Sequence, residues 1–462
     1  MGYGDVSSYN PDSKIPTPNI DKIASEGLMF TNAHTPSSLC SPSRYGLLTG
    51  RYCWRTRLKK GVLMEFYGDT PLIEQNRLTL ASLLKSRGYE TACIGKWHVG
   101  ISWNTKDGRP SSYAEEGNID FTKPIIGGPL ERGFDYFYGT SGCSTSDPPY
   151  CFIENNKTIS IPTELIPEAI DSLPGVITGL MAADWSQEDV DVRLTRKAID
   201  FIDHHQAKQP DEPFFLYVAL SSPHIPWLVP DFLKNKTKEG ARGDLVALVD
   251  WSVGQITKTL VKHGLDENTL LIITSDNGPR KGLNGHQSSG DFRGYKAEIW
   301  EGGHRVPFIA KWPGQIKPNA KSDELISLTD MMASFADLTG ATLPANTAED
   351  SHNVLSTLLG KKDDENKMRP RVFHSGNGTF AITMGDWKLI QGTKGRGAGR
   401  KDINPDSLLL IGQLYNITND PYEQNDLWDN YPGKKEELNK LLEEIKVKSH
   451  YRRDQQNAKQ DD

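Results

Sequence analysis

The sequence predicts an α/β fold: a large, mainly parallel sheet sandwiched by helices, followed by a small α+β domain. Three observations predict it. Continuous apolar runs of strand length, such as Phe214 to Leu220 and Leu270 to Ile273, alternate with amphipathic segments of helical length. A parallel sheet covered on both faces needs that alternation. The texture changes at the polar stretch Gly360 to Lys367, after which only short strand-like runs follow. A chain of 462 residues also exceeds the usual size of one domain.

Taken in order, Pro18 to Gly27 reads as a helix, with Ile20, Ile23 and Ala24 on one face and Gly27 ending it. Leu28 to Ala33 is a short strand. A second helix is expected from about Pro42 to Thr49, because Ser41 is a good N-cap, Pro42 suits the first helical position and Gly50 suits the residue past the end. Leu78 to Arg87 is amphipathic and stops at Gly88; Tyr89 to Gly95 is then a buried strand. Asp189 to Gln206 and Gly240 to His263 are helical, each followed by an apolar strand, Pro213 to Leu220 and Asn268 to Thr274. In such sheets, sites gather beyond the carboxyl ends of the strands. Beyond the linker come strands at Val372 to His374, Phe380 to Met384, Trp387 to Ile390 and Gln413 to Ile417, then a charged helix from Glu436 to Lys448. The expected division is a main domain over 1–362, a small domain over 363–450 and a disordered tail over 451–462.

The formal net charge of −7 argues against a general nucleic-acid binder. No apolar run reaches the ~18 residues that mark a membrane-spanning helix. Met1 is not followed by a signal peptide. Of five cysteines, Cys143 and Cys151 flank a turn-rich segment, and two readings stay open: a small disulfide loop or two thiols. Thr393 to Lys401 is a basic loop, either a contact for an anionic polysaccharide or a solvated surface.

Several short stretches carry residue types suited to chemistry. Cys40 lies at the start of the second predicted helix, where free N–H groups and the positive dipole end favour negative charge. Arg44, one turn in, can aim its guanidinium at the same place; alternatively the helix is only capped and the thiol incidental. Lys96 and His98 leave the end of a buried strand and, in extended chain, point to one side. His224 follows another apolar strand, with Pro223 and Pro226 around it holding the backbone extended. A histidine fixed there is an acid–base candidate or a plain loop residue. Asp276 and Asn277 end a third apolar strand with two oxygen donors that suit a hard cation, or with a simple turn.

Cys40-Ser41-Pro42-Ser43-Arg44 followed by Leu48-Thr49-Gly50-Arg51 resembles the signature of the type I sulfatases. Gly95-Lys96-Trp97-His98-Val99-Gly100, Pro223-His224-Ile225-Pro226, Asp276-Asn277-Gly278 and the stretch around Lys296 are similar to further sulfatase motifs, in family order. The resemblance implies the alkaline-phosphatase-like fold and hydrolysis of a sulfate monoester of an aryl compound or a carbohydrate. It implies that a formylglycine-generating enzyme oxidises Cys40 to formylglycine, whose hydrated aldehyde is the nucleophile. It further implies that Arg44 steadies that residue, that Lys96, His98, His224 and Lys296 are catalytic, and that Cys40, Asp276 and Asn277 ligate Ca2+ or Mg2+. In the family, the segment matched by Met1 to Asp5 follows a strand ending in two metal-binding aspartates, and neither strand nor pair is in this sequence. Two rivals stay open: a phosphoester hydrolase of the same superfamily, which would share metal and nucleophile geometry, and, because that pair is absent, a non-catalytic binder of sulfated ligands. The compartment implied is periplasmic, secreted or lysosomal.

Overall fold

The computed structural model describes residues 1–64, 70–111, 116–392 and 412–448. The basic loop from Thr393 to Lys401 and the tail after 450 lie outside the described residues. The α/β class stands, and the strand pairing within it is mixed.

One sheet of five strands runs β6-β5-β4-β3-β9: β3 (Glu90–Lys96), β4 (Tyr136–Thr140), β5 (Ile153–Glu154), β6 (Lys157–Thr158) and β9 (Phe214–Ala219). Its central strands β4, β3 and β9 are parallel, and β5 and β6 turn back antiparallel at the edge. A second sheet of four strands runs β10-β11-β1-β12: β1 (Leu28–Phe30), β10 (Leu271–Ile273), β11 (Phe308–Lys311) and β12 (Ala320–Ser322). There β11 is antiparallel to both neighbours, while β1 and β12 are parallel. Two short pairs, β2 (Ala33–His34) with β13 (Ile326–Ser327) and β7 (Glu164–Leu165) with β8 (Leu180–Met181), complete this part.

Helices cover the sheets. They are α1 (Pro18–Ser25), α2 (Cys40–Thr49), α3 (Leu80–Lys85), α4 (Glu168–Asp171), α5 (Val190–Lys208), α6 (Ala241–Lys262), α7 (Glu301–His304), α8 (Met331–Leu338) and α9 (Leu355–Leu358). In α5, Val190, Leu194, Ala198, Phe201 and Ile202 form one buried stripe against Ala92, Ile94 and Tyr138 of the five-stranded sheet. On its other side α5 meets α6, and α6 also packs on α1, which lies on β11. The two sheets are therefore joined through helices. Among the described residues no strand pairing links β9 to β10; a cavity of about 820 Å³ lies between them, walled by Leu216, Val218, Leu220, Leu271 and Ile273.

The last strands, β14 (Arg371–His374), β15 (Phe380–Met384), β16 (Trp387–Ile390) and β17 (Gln413–Asn416), form an antiparallel meander. Helix α10 (Pro432–Val447) lays Leu438, Leu442 and Ile445, spaced i, i+4, i+7, on Val372, Ile382, Leu389 and Leu414. Buried polar contacts tie the meander to the rest. Lys388 of β16 reaches Glu301 Oε1 at 2.9 Å, Glu423 Oε1 at 2.8 Å and His304 Nε2 at 3.1 Å. His304 Nδ1 in turn meets His34 Nδ1 at 2.9 Å. Arg371 Nε donates to Asp330 Oδ2 at 3.0 Å.

Three expectations are corrected, and one alternative left open, at Cys143 and Cys151, is decided. Helix α2 begins at Cys40, not Pro42; its N-cap is Leu39, and Ser41 Oγ accepts the Leu63 N–H at 3.2 Å instead of capping. Its end is as expected, with Gly50 at φ 64° accepting the left-handed turn. Cys143 and Cys151 are free thiols: Cys143 turns into the cleft beside Lys96, leaving Cys151 buried alone. His98 is not extended; its φ is 57°. The chain at His224 turns rather than runs straight, and the His224 N–H donates to the Ser221 carbonyl at 3.0 Å.

Candidate active site

Four strands deliver the site, each at its carboxyl end. β3 ends in Lys96 and His98, β4 leads to Cys143, β9 to His224 and β10 to Asp276 and Asn277. Glycines let the strands close up beneath it. A Cβ on Gly95 would lie 2.0 Å from the Ala219 carbonyl oxygen, and one on Gly139 would lie 1.8 Å from the Gly95 oxygen. Gly95 also holds φ at 122°, which only glycine adopts at low cost.

Helix α2 brings the remaining groups. Cys40 is its first residue, and Ser43 Oγ anchors the turn by donating to the Ser37 carbonyl at 2.8 Å. Arg44 donates from Nε to Asp276 Oδ2 at 2.9 Å and from Nη1 to the Lys96 carbonyl at 2.6 Å. Lys96 Nζ donates to Cys143 Sγ at 3.0 Å. Cys143 Sγ is 3.7 Å from His98 Nδ1 and 3.8 Å from His224 Nε2. The Cys40 thiol completes this cluster, its Sγ within 4.8 Å of the ligand atoms of His98 and Cys143. Lys296 lines the same cavity, and its charge is felt at Cys40, His224 and Asp276. Every residue proposed from the sequence therefore faces one cleft.

Backbone contacts hold both histidines. His98 Nε2 lies 2.9 Å from the Leu63 carbonyl and His224 Nδ1 lies 2.8 Å from the Ile225 carbonyl. The loop before His224 hangs on Asp191, which accepts the Ser221 and Ser222 N–H groups at 2.8 and 2.7 Å.

Charges push these groups apart. The Cys143 thiol is held well below its ordinary range by a hydrogen bond from Cys40 and, against burial, by the charges of His98 and Lys96. Cys40 is also lowered: its bond to Cys143 and its burial work upward, and the charges of Lys96, His98 and Lys296 outweigh them. Burial works against charge on His98, yet Cys143 and Cys40 raise it well above the imidazole range. Burial and the two lysines Lys296 and Lys96 push His224 well below it. Burial would raise Asp276; Arg44 holds it down at about 2.

The donor set suits a hard cation. Asn277 Oδ1 is buried with no hydrogen-bond partner, and Arg44 engages only Oδ2 of Asp276. A carboxylate oxygen and a carboxamide oxygen facing one cleft are what calcium or magnesium takes. Asp5, in the segment that in the family follows the metal-binding aspartate pair, is committed elsewhere. It binds Arg242 through both oxygens at 2.6 and 3.0 Å, and also His286 Nε2 at 2.9 Å.

Sequence reasoning missed Cys143 as a member of the site. Nothing in Gly142-Cys143-Ser144 distinguishes it; only the parallel pairing of β3 with β4 sets it beside Lys96. Tyr217, whose hydroxyl accepts from Arg44 Nη1 at 3.3 Å, was hidden inside an apolar strand.

Residues 1–341 match the family model described as Sulfatase. The chain belongs to the sulfatase family. This sulfatase also matches, over 294–450, the model described as N-sulphoglucosamine sulphohydrolase, C-terminal. It is 34 % identical, over a 497-residue alignment, to an N-acetylgalactosamine-6-O-sulfatase of Bacteroides thetaiotaomicron, covering 97 % of this chain and 91 % of that protein. It is 31 % identical to arylsulfatase G of Rattus norvegicus, with 96 % and 83 % covered. A solved structure from work on the metabolism of multiple glycosaminoglycans by Bacteroides thetaiotaomicron superposes with a TM-score of 0.82, at 32 % identity and 97 % of each chain. This sulfatase is thus a sulfuric ester hydrolase of the alkaline-phosphatase-like fold, and its family in general uses a metal and a formylglycine. Among the described residues no helix is long and apolar enough to cross a membrane.

Proposed function

We propose that this sulfatase removes sulfate from a carbohydrate monoester, with Cys40 as the residue that a formylglycine-generating enzyme converts. The observation that carries this reading is the convergence of Lys96, His98, His224, Lys296 and Asp276 on the amino end of α2. The relatives named for N-acetylgalactosamine 6-sulfate support a carbohydrate substrate. The compartment that fits is periplasmic, secreted or lysosomal, and the reading divides the chain into a catalytic domain over 1–362 and a small domain over 363–450.

Asp276 and Asn277 would hold the divalent cation, Ca2+ or Mg2+, together with residue 40. When bound, the cation supplies positive charge at the sulfate oxygens, and the hydrated aldehyde at position 40 supplies the nucleophile. Lys96 and Lys296 bind the sulfate oxygens from two sides and neutralise charge where it develops, which is electrostatic preorganisation. Arg44 orients Asp276 and the first turn of α2. His224, whose Nε2 lies 3.8 Å from Cys143 Sγ, would manage the proton of the leaving group. His98 Nδ1 takes a proton at residue 40; conversion removes one of the two sulfur charges that hold its own proton on. Two histidines pushed in opposite directions suit separate acid and base duties.

The test is mass spectrometry across Cys40 on protein co-expressed with a formylglycine-generating enzyme, then sulfate release with calcium. Conversion with sulfate release faster than phosphate release from matched esters is expected. An unconverted Cys40 in folded protein, or no release after conversion, rejects the reading.

A further inference from the structure

We propose that the chain with Cys40 as a thiol contains a binding site for a thiophilic cation such as Zn2+, formed by Cys40, Cys143 and His98. It differs from the oxygen site of Asp276 and Asn277 in its sulfur ligands, shares residue 40 with it, and exists only while Cys40 is unconverted.

The distances fit a tetrahedral metal. Zinc takes Zn–S of about 2.3 Å and Zn–N of about 2.0–2.1 Å, which sets S···N edges near ~3.6 Å. Cys143 Sγ lies 3.7 Å from His98 Nδ1. Cys40 Sγ, Cys143 Sγ and His98 lie within 4.8 Å of one another. Two sulfurs and one imidazole nitrogen make a three-ligand zinc site with the fourth position open.

The surroundings present the His98 nitrogen correctly. A ligating imidazole gives its other N–H to a carbonyl or carboxylate, which fixes its tautomer. His98 does so through Nε2 to Leu63. The nitrogen left over, Nδ1, faces Cys143. Lys96, 3.0 Å from Cys143 Sγ, can donate an N–H···S bond to the bound thiolate and so sits in an outer-shell position. Metal entry releases the thiol protons and the His98 Nδ1 proton.

The experiment uses the full chain, expressed without a converting enzyme, with Cys40 verified as a thiol by mass. Anaerobic titration with Co2+ should give one equivalent bound, with sulfur-to-cobalt charge-transfer absorption and the intense visible bands of a tetrahedral site. X-ray absorption at the zinc edge should show two sulfurs and at least one nitrogen in the unaltered protein. Cys143→Ser should weaken cobalt binding by at least the ~10–100-fold that loss of a mere outer-shell partner costs. An absorption spectrum without sulfur charge transfer, or a zinc shell lacking two sulfurs, overturns the proposal. The X-ray measurement needs no variant, so it decides the matter even where Cys143→Ser fails to fold.

Discussion

Arg44 holds Asp276 by a single oxygen: its Nε and Nη2 lie 2.9 and 2.8 Å from Oδ2. The other fork nitrogen, Nη1, reaches the Lys96 carbonyl at 2.6 Å. One planar group therefore aligns the ends of β3 and β10. Lysine keeps the charge and loses the fork. Arg44→Lys is expected to lower kcat/KM for sulfate release by on the order of a hundredfold, the scale of losing one preorganised donor. Steady-state kinetics check it, with circular dichroism showing the fold retained.

Asn277 leaves a buried oxygen unpaired, and a bound cation would satisfy it. Calcium added to chelator-treated protein should raise the melting temperature; at a hundredfold excess over Kd the stabilisation is about 2.7 kcal/mol. Asn277→Ala should shrink that shift. Thermal scans with and without calcium read both results, and an unchanged shift in the variant would remove Asn277 from the metal site.

Gly95 and Gly139 leave no room for a side chain, since either Cβ would meet a carbonyl oxygen at 2.0 or 1.8 Å. Gly95→Ala or Gly139→Ala must spread the parallel strands under the site. Each is expected to destabilise the protein by more than ~3 kcal/mol, among the larger single-residue effects. Urea unfolding midpoints measure it.

Lys388 balances two carboxylates where none of the three groups meets solvent. Lys388→Met leaves Glu423 without a counter-charge and Glu301 with Arg305 alone, 3.0 Å away. Breaking a buried pair from one side costs about 3–5 kcal/mol. The loss should appear in urea unfolding of the variant, and should lessen when Glu423→Gln is added.

Burial pulls the His374 imidazole down to about 4, even with the Lys59 carbonyl accepting from it at 2.6 Å. The folded state thus favours neutral His374, whereas the unfolded chain protonates it near its ordinary ~6.5. Its contribution is complete above that value and falls away as the pH drops toward 4. The total loss is about 3 kcal/mol. Urea midpoints at pH 7.5 and pH 5 should show the decline, which His374→Gln should reduce.

Much of the fold and site was legible in the sequence. The buried strands at Tyr89, Pro213 and Asn268 stood out as apolar runs, and the motif residues Cys40, Arg44, Lys96, His98, His224, Asp276 and Lys296 fell on strand ends and helix starts. What the sequence withheld depended on contacts far apart in the chain. Cys143 joins the site only because β4 pairs with β3. Asp5 looked close to a metal motif, but Arg242, more than two hundred positions away, claims it. The Lys96 and His98 pair met in one cleft despite the failure of the extended-chain argument, because the left-handed turn at His98 and the Leu63 carbonyl redirect the ring.

Helix α6, seated on both α5 and α1, is the common support of the two sheets. Amide protons along its buried face should exchange with heavy water only when both sheets open together, whereas those of the short edge pair β5–β6 should exchange through local fraying.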